Sequence, residues 1–294
     1  MMKTGLKIKK KATAYTIICA AFLWIFALSL IFLFVYAFVN SLKGIFDYIE
    51  NPLGLPKKWE WGNYLLIWEY FYIKIGSSGP IYYLEHMFAF GFLYAAGCAA
   101  ASTAISTLTA YATAQFDYKF SKIVYALVLF TMACPIIGAQ ASELQMVKTL
   151  GIYDTFIGCF VLKSNFLSMY YLVLFALFKG IPKEFDEAAR IDGAGTFTIF
   201  FKIMLPFARN TIFTIMLLHF ISYWNDYQTP LLYLPSYPTI AYGLFKFSFS
   251  TIPDIAGNNI KLGGCLVVAL PIFVVYMIFQ NRLIGNISLG GIKE

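Results

Sequence analysis

Six stretches of the chain are apolar for long enough to cross a bilayer. They lie near 15–39, 87–113, 122–142, 156–179, 210–232 and 262–284. A helix rises 1.5 Å per residue, so about 20 apolar residues span the ~30 Å hydrocarbon layer. The pattern predicts an all-α integral membrane protein with about six transmembrane helices. Residues 1–14 form a basic leading segment, and 15–294 read as one transmembrane domain. The fourth stretch is the weakest, because Lys163, Ser164 and Asn165 interrupt it. Outer segment 40–86 carries Pro52, Pro56 and Pro80, with a short interfacial helix expected near 62–75. Outer segment 233–261, with Pro235, Pro238 and Pro253, reads as mostly loop. Segment 180–209 has its charge concentrated over 183–192 and separates the fourth and fifth stretches.

Composition agrees. The 294 residues are 60% hydrophobic, 19% aromatic and 13% charged, whereas a soluble domain is about one-quarter charged. The charges are too few to coat a water-facing surface, so lipid must cover much of the outside. The net charge of +7 is no nucleic-acid footprint. Lys3, Lys7, Lys9, Lys10 and Lys11 precede the first apolar run, where the positive-inside rule places a cytoplasmic anchor to anionic headgroups. Tyr15–Val39 exceeds the ~7–15 residue core of a signal peptide, and Phe38-Val39-Asn40-Ser41 is a poor cleavage site, so a retained first span is expected. Cys19, Cys98, Cys134, Cys159 and Cys265 lie in or beside apolar runs without a CxxC pair and read as small buried residues.

Lysine and arginine counts orient the chain. With the N-terminus inside, fourteen fall in cytoplasmic segments and seven in outer ones, Lys163 lying within a span. Both termini are therefore expected on the cytoplasmic side of the membrane.

The cytoplasmic segment begins Gly180-Ile-Pro-Lys-Glu-Phe-Asp-Glu-Ala-Ala-Arg-Ile-Asp-Gly-Ala-Gly. Pro182 suits a first helical position, and Glu184, Asp186 and Glu187 favour the positive end of the helix dipole. Lys183 with Glu187, and Asp186 with Arg190, are spaced to pair. Gly193 and Gly195 end the helix. A second short helix is expected over Thr196–Leu205, with Pro206 before re-entry into the membrane. Small Ala188 and Ala189 would let another surface approach closely. A helix lying on the membrane surface is the other reading of the same pattern.

These residues carry a resemblance. Glu187-Ala188-Ala189, Gly193, Ile203 and Leu205-Pro206 resemble the EAA loop of binding-protein-dependent ABC importer permeases, and Asp186-Glu-Ala-Ala-Arg-Ile-Asp-Gly-Ala194 resembles its form in the maltose-type, carbohydrate branch. Further matches follow in order along the chain. They are Asn40-Ser41-Leu42-Lys43, Leu108-Thr-Ala-Tyr-Ala112 with Phe116 and Phe120, Pro135, Leu150-Gly-Ile-Tyr-Asp-Thr155, Tyr223-Trp-Asn-Asp-Tyr227 with Pro230-Leu231, and Phe279-Gln280 through Lys293. Together they resemble the second, six-span member of a permease pair. Lys163-Ser164-Asn165 departs from the family, which often has a proline and small residues there.

The resemblance implies a type I ABC importer permease fold. It implies a heterodimer with a second permease, two ATPase subunits that bind ATP and Mg, and an extracytoplasmic binding protein. Asp186, Glu187, Ala188, Ala189, Arg190, Asp192 and Gly193 would contact the ATPase, as would the tail residues Ser288, Gly290, Gly291 and Lys293, unless the tail is simply frayed. The chain itself has no G-x-x-x-x-G-K-[ST] phosphate loop, no G-x-S-x-G elbow and no clustered histidines (His86 and His219 are far apart). It reads as a non-enzyme without a cofactor or metal of its own.

Polar residues at membrane depth mark a transport path: Gln140, Lys163, Asn165, Asn225 and Asp226, with Tyr170, Tyr223 and Trp224 able to stack on sugar faces. Lys163 could instead snorkel to the outer interface, Trp224 could join an aromatic belt, and Asp226 could cap its span. The run Ala95–Ser102 permits close helix packing, and Pro135 and Pro271 are expected to kink their spans. The cargo expected is a carbohydrate. A glycerophosphodiester, a polyol or a uronate oligosaccharide would suit the same machinery. A membrane enzyme lacks a residue cluster here, and a stand-alone channel or secondary transporter lacks the inverted repeat.

Overall fold

The computed structural model describes residues 14–116, 118–134 and 138–289. Helices α1 (Ala14–Ser41), α2 (Ile45–Glu50) and α3 (Gly62–Tyr70) lead to a small antiparallel hairpin. Its strands are β1 (Tyr72–Lys74) and β2 (Ile81–Tyr83), in register Tyr72 with Tyr83. Then come α4 (Leu84–Gln115), α5 (Lys119–Ala133), α6 (Gln140–Thr149), α7 (Phe156–Lys163), α8 (Met169–Lys179), α9 (Glu184–Ile191) and α10 (Thr196–Ile199). A π-helical turn, Phe200–Met204, precedes α11 (Leu205–Trp224), α12 (Gln228–Tyr233), α13 (Ile240–Ser248) and α14 (Asn258–Leu289).

Among the described residues, four helices are long and apolar enough to cross a membrane: Tyr15–Ser41, Leu84–Gln115, Thr196–Trp224 and Asn258–Gln280. They match the first, second, fifth and sixth expected spans. The third and fourth expected spans are not continuous helices. The span expected at 122–142 stops at Ala133, because Cys134 leaves helical geometry (φ −118°, ψ 86°), as a residue before proline must. Pro135 itself lies outside the described residues. The span expected at 156–179 breaks between α7 and α8. There the Ser164 hydroxyl donates to Phe160 O at 2.7 Å, and Asn165 Oδ1 accepts from Leu167 N–H at 3.0 Å. Such local bonds compete with the helical ladder.

The span expected at 210–232 starts earlier and ends sooner. Thr196–Trp224 runs as one 29-residue helix, so the break expected at Pro206 is absent. A proline ring clashes with the carbonyl four residues back, and the wider π turn just before it relaxes that crowding. Pro271 lies inside α14.

The described residues form two compact units, one taking the chain through Ile67 with Thr251–Leu266, the other Trp68–Ser250 and the chain from Val267 onward. In the first, the end of α1 is clamped. Asn40, Ser41, Leu42 and Lys43 are all buried. Asn63 Nδ2 donates to the carbonyls of Ser41 and Lys43, and Asn259 Nδ2 donates to Lys43 O at 2.8 Å. The Lys43 ammonium donates to Asn51 O at 2.6 Å. The short helix expected near 62–75 is α3, which ends at Tyr70.

In the second unit α4 is the central post, packed by α7, α8 and α11. Its small residues do what their size allows. Ala95, Cys98, Ala99 and Ser102 are buried, and a Cβ on Gly97 would strike the Phe160 ring. One apolar cluster joins Tyr111, Tyr171, Phe178, Ala189, Phe200 and Met204. A second joins Tyr94, Cys98, Val147, Cys159 and Tyr233.

Candidate functional site: a docking helix and an intramembrane ion pair

The polar segment folds as expected into a short helix, α9. Arg190 Nε donates to Asp186 Oδ2 at 2.8 Å, and this bond holds the guanidinium's pKa above its ordinary value. Among the described residues no ion pair joins Lys183 to Glu187; the Lys183 carbonyl instead accepts the Glu187 N–H at 3.0 Å. The helix closes as a Schellman motif. Gly193 sits at φ +79°, its N–H donates to Arg190 O, and the Ala194 N–H reaches back to Ala189 O at 2.9 Å.

This ending fixes which residues face outward. Ala189 is buried in the chain's own core, with Ala194 packed beside it. The close approach expected at both alanines is therefore open at Ala188 only. Glu187, Ala188, Arg190, Asp192 and Gly193 are exposed, and Ile191 is 86% exposed with Phe185 at 45%. The charged helix thus leaves Ile191 bare, while the Phe185 ring is partly covered by Phe207, ring centres 5.3 Å apart; an exposed apolar side chain on a charged helix fits a face awaiting a partner. The Ser288 side chain, Gly290, Gly291 and Lys293 lie outside the described residues.

The second site forms where α4, α7, α11 and α12 meet. Lys163 Nζ and Asp226 Oδ2 are 3.2 Å apart, with side chains 26% and 18% exposed. The Tyr94 hydroxyl donates to the same carboxylate oxygen at 2.9 Å and the Thr229 hydroxyl at 2.6 Å. Thr229 N–H donates to Asp226 Oδ1 at 3.0 Å, a capping bond at the start of α12. Lys163 therefore turns inward to a partner rather than snorkelling. Its ammonium also stands 5.7 Å from the Tyr223 ring centre. Ser102 Oγ lies 2.7 Å from both Lys163 O and the Tyr223 hydroxyl.

A cavity of about 300 Å³ opens over the pair, lined by Gln140, Glu143, Lys163, Asn165, Asp226, Gln228, Thr229 and Tyr233, with Leu162 and Leu232. That volume is at the small end for a ligand pocket. Of the residues expected on a transport path, the structure brings Gln140, Lys163, Asn165 and Asp226 together here. Tyr223 lies behind Lys163. Tyr170 faces His219 instead, with ring centres 4.5 Å apart. Trp224 is buried and donates to Val268 O at 3.3 Å. Asn225 is exposed and donates to Ile221 O of its own helix. Tyr94, Ser102, Thr229, Glu143 and Tyr233 escaped the sequence reading. The spacing of Asp226 and Thr229, three apart at a helix start, was the available signal.

Fold and sites define a class: a membrane-embedded helical subunit with a paired polar centre and a short charged helix that leaves Ile191 bare. The chain belongs to the family described as binding-protein-dependent transport system inner membrane component, which it matches over residues 102–288, more than half its length. It is a permease subunit of an ABC importer. It is similar to the diacetylchitobiose uptake system permease protein NgcG of Streptomyces coelicolor, 24% identical over 86% of this chain and 80% of that one. It is also similar to the probable starch degradation products transport system permease protein AmyC of Thermoanaerobacterium thermosulfurigenes, at 27% over 87% and 89%. A solved bacterial ABC transporter involved in the import of the acidic polysaccharide alginate contains a chain of the same fold. The TM-score is 0.74, at 22% identity over 91% of this chain and 95% of that one.

Proposed function

We propose that this chain forms, with a second permease, the path by which a bacterial cell membrane imports an uncharged oligosaccharide. An extracytoplasmic binding protein delivers the sugar, and two ATPase subunits holding ATP and Mg drive the cycle. Both termini are cytoplasmic. Helix α9 is the coupling element: Glu187 and Arg190 make polar contacts to an ATPase subunit, Ala188 allows close approach, and Ile191 and Phe185 enter its groove. The tail at Ser288, Gly290, Gly291 and Lys293 reaches the same subunits. Movement of α9 passes through the turn at 192–195 to the unbroken helix Thr196–Trp224, and so to Asp226 just beyond it. The spans then rock between inward- and outward-open states.

The observation that carries the sugar assignment is the cavity over the ion pair. Its lining is rich in amides and hydroxyls, which suit sugar hydroxyls. One lysine faces two carboxylates, Asp226 and Glu143, and Asp226 already engages that lysine. This balance disfavours a glycerophosphodiester or a uronate oligosaccharide. Two of the proteins named above support the sugar reading, since their names refer to diacetylchitobiose and to starch degradation products, while the solved neighbour, an importer of the acidic polysaccharide alginate, keeps a uronate oligosaccharide as the second reading. The test is uptake of a panel of radiolabelled neutral and uronate oligosaccharides by a host lacking this chain. ATP-dependent uptake of a neutral sugar, restored by the wild type and not by Glu187→Arg, is expected. Restoration of uronate uptake alone would reverse the cargo assignment.

A further inference from the structure

A second cavity, of about 510 Å³, lies where α4 ends, α5 begins and α8 ends. Lys122, Lys179 and Lys183 line it, and among the described residues no Asp or Glu does. Nor do these lysines appear in any ion pair among the described residues. Lys179 stands 5.5 Å from the Phe175 ring centre, a contact that leaves its charge uncompensated. All three side chains are exposed, so water screens much of their mutual repulsion, and an anion seated among them would offset what remains.

The backbone allows for such an anion. The N-terminus of α5 favours one, whereas the C-termini of α4 and α8 do not. One offending carbonyl is masked, since Gln115 Nε2 donates to Phe178 O at 2.6 Å. The rings of Tyr125 and Phe175, 4.9 Å apart at their centres, form an apolar wall beside the lysines. Lysine binds phosphate as a point charge, and basic pockets between transmembrane helices take lipid headgroups.

We propose that this cavity binds a phosphate group, supplied either by an anionic phospholipid headgroup or by a free phosphate. It stands apart from the cargo cavity, and neither the sugar assignment nor the coupling role of α9 is needed for it.

The experiment uses the full chain purified with its co-purifying subunits. In one arm it is placed in nanodiscs of phosphatidylcholine with a minor share of spin-labelled phosphatidylglycerol, and the immobilised lipid is measured. In the other, inorganic phosphate binding is measured by calorimetry in neutral detergent. Two double variants are compared: Lys122→Gln/Lys179→Gln, and the control Lys202→Gln/Arg209→Gln, whose side chains are exposed like those of the cavity pair but do not line the cavity. At about 1 kcal/mol per cation, the cavity variant should weaken binding about 30-fold and the control should leave it nearly unchanged. Loss confined to the lipid arm identifies a headgroup. Loss in the phosphate arm, with phosphate displacing the lipid, identifies a free phosphate. Equal loss in both variants, or no binding of either probe to the wild type, overturns the proposal.

Discussion

Replacing Asp226 strands the Lys163 ammonium. The pair lies between two limits. An exposed ion pair contributes under about 1 kcal/mol, whereas one-sided loss of a buried pair costs about 3–5 kcal/mol. With side chains 26% and 18% exposed, the loss should be about 2 kcal/mol for Asp226→Asn, which keeps an oxygen for the two hydroxyls. Asp226→Ala removes that oxygen too. The Tyr94 side chain is fully buried, and a stranded buried donor adds about 1–3 kcal/mol. Asp226→Ala should therefore cost about 4 kcal/mol. A chain of this size loses about 2 °C per kcal/mol, so the unfolding midpoint of the purified complex should fall by about 4 °C and 8 °C respectively. Lys163→Met should cost about 2 kcal/mol. The double variant Lys163→Met/Asp226→Asn should be no worse than either single, a coupling of about 2 kcal/mol. Single losses that add to within about 0.5 kcal/mol would refute the pairing argument.

Gly193→Ala should strain the end of α9 by about 1–2 kcal/mol, since a Cβ disfavours the left-handed region. Substrate uptake per ATP hydrolysed should fall while membrane levels, followed by immunoblot, stay near normal. Gly97→Val would push side-chain atoms into the Phe160 ring, where even a Cβ has no room. Overpacking of this kind costs about 1–3 kcal/mol, and Phe160→Ala in the same chain should restore part of the lost thermal stability. Lys43→Met removes a buried ammonium bonded to Asn51 O. Protease digestion of spheroplasts should then cut the segment between α1 and α3 faster than in the wild type.

Much of the membrane architecture was legible in hydropathy alone. Uninterrupted apolar runs such as Tyr15–Val39 have no alternative but a long helix, because an unpaired backbone group in lipid costs several kcal/mol. Hydropathy failed where apolar residues flank a local competitor. Ser164 and Asn165 bond their own backbone and break the fourth run, and Cys134 bends away ahead of a proline. At Pro206 the error ran the other way, because a π turn is an accommodation that composition does not announce. Helix α9 was readable because its caps, charges and Gly193 act within a few residues. That Ala189 faces inward depends on distant residues such as Tyr111 and Phe200. The Lys163–Asp226 pair joins residues on separate helices. Each was conspicuous alone, but nothing in their spacing joined them.

The central claim is that α9 takes the force of ATP hydrolysis from a separate subunit. The most direct measurement is affinity purification of the tagged chain from its native membrane, in parallel with Glu187→Arg, with mass spectrometry of the co-purifying proteins. The account predicts an ATPase subunit with the wild type, lost with Glu187→Arg, while a second permease remains in both. Recovery of the second permease without any ATPase from wild-type membranes would contradict it, leaving α9 as a helix that lies on the lipid surface.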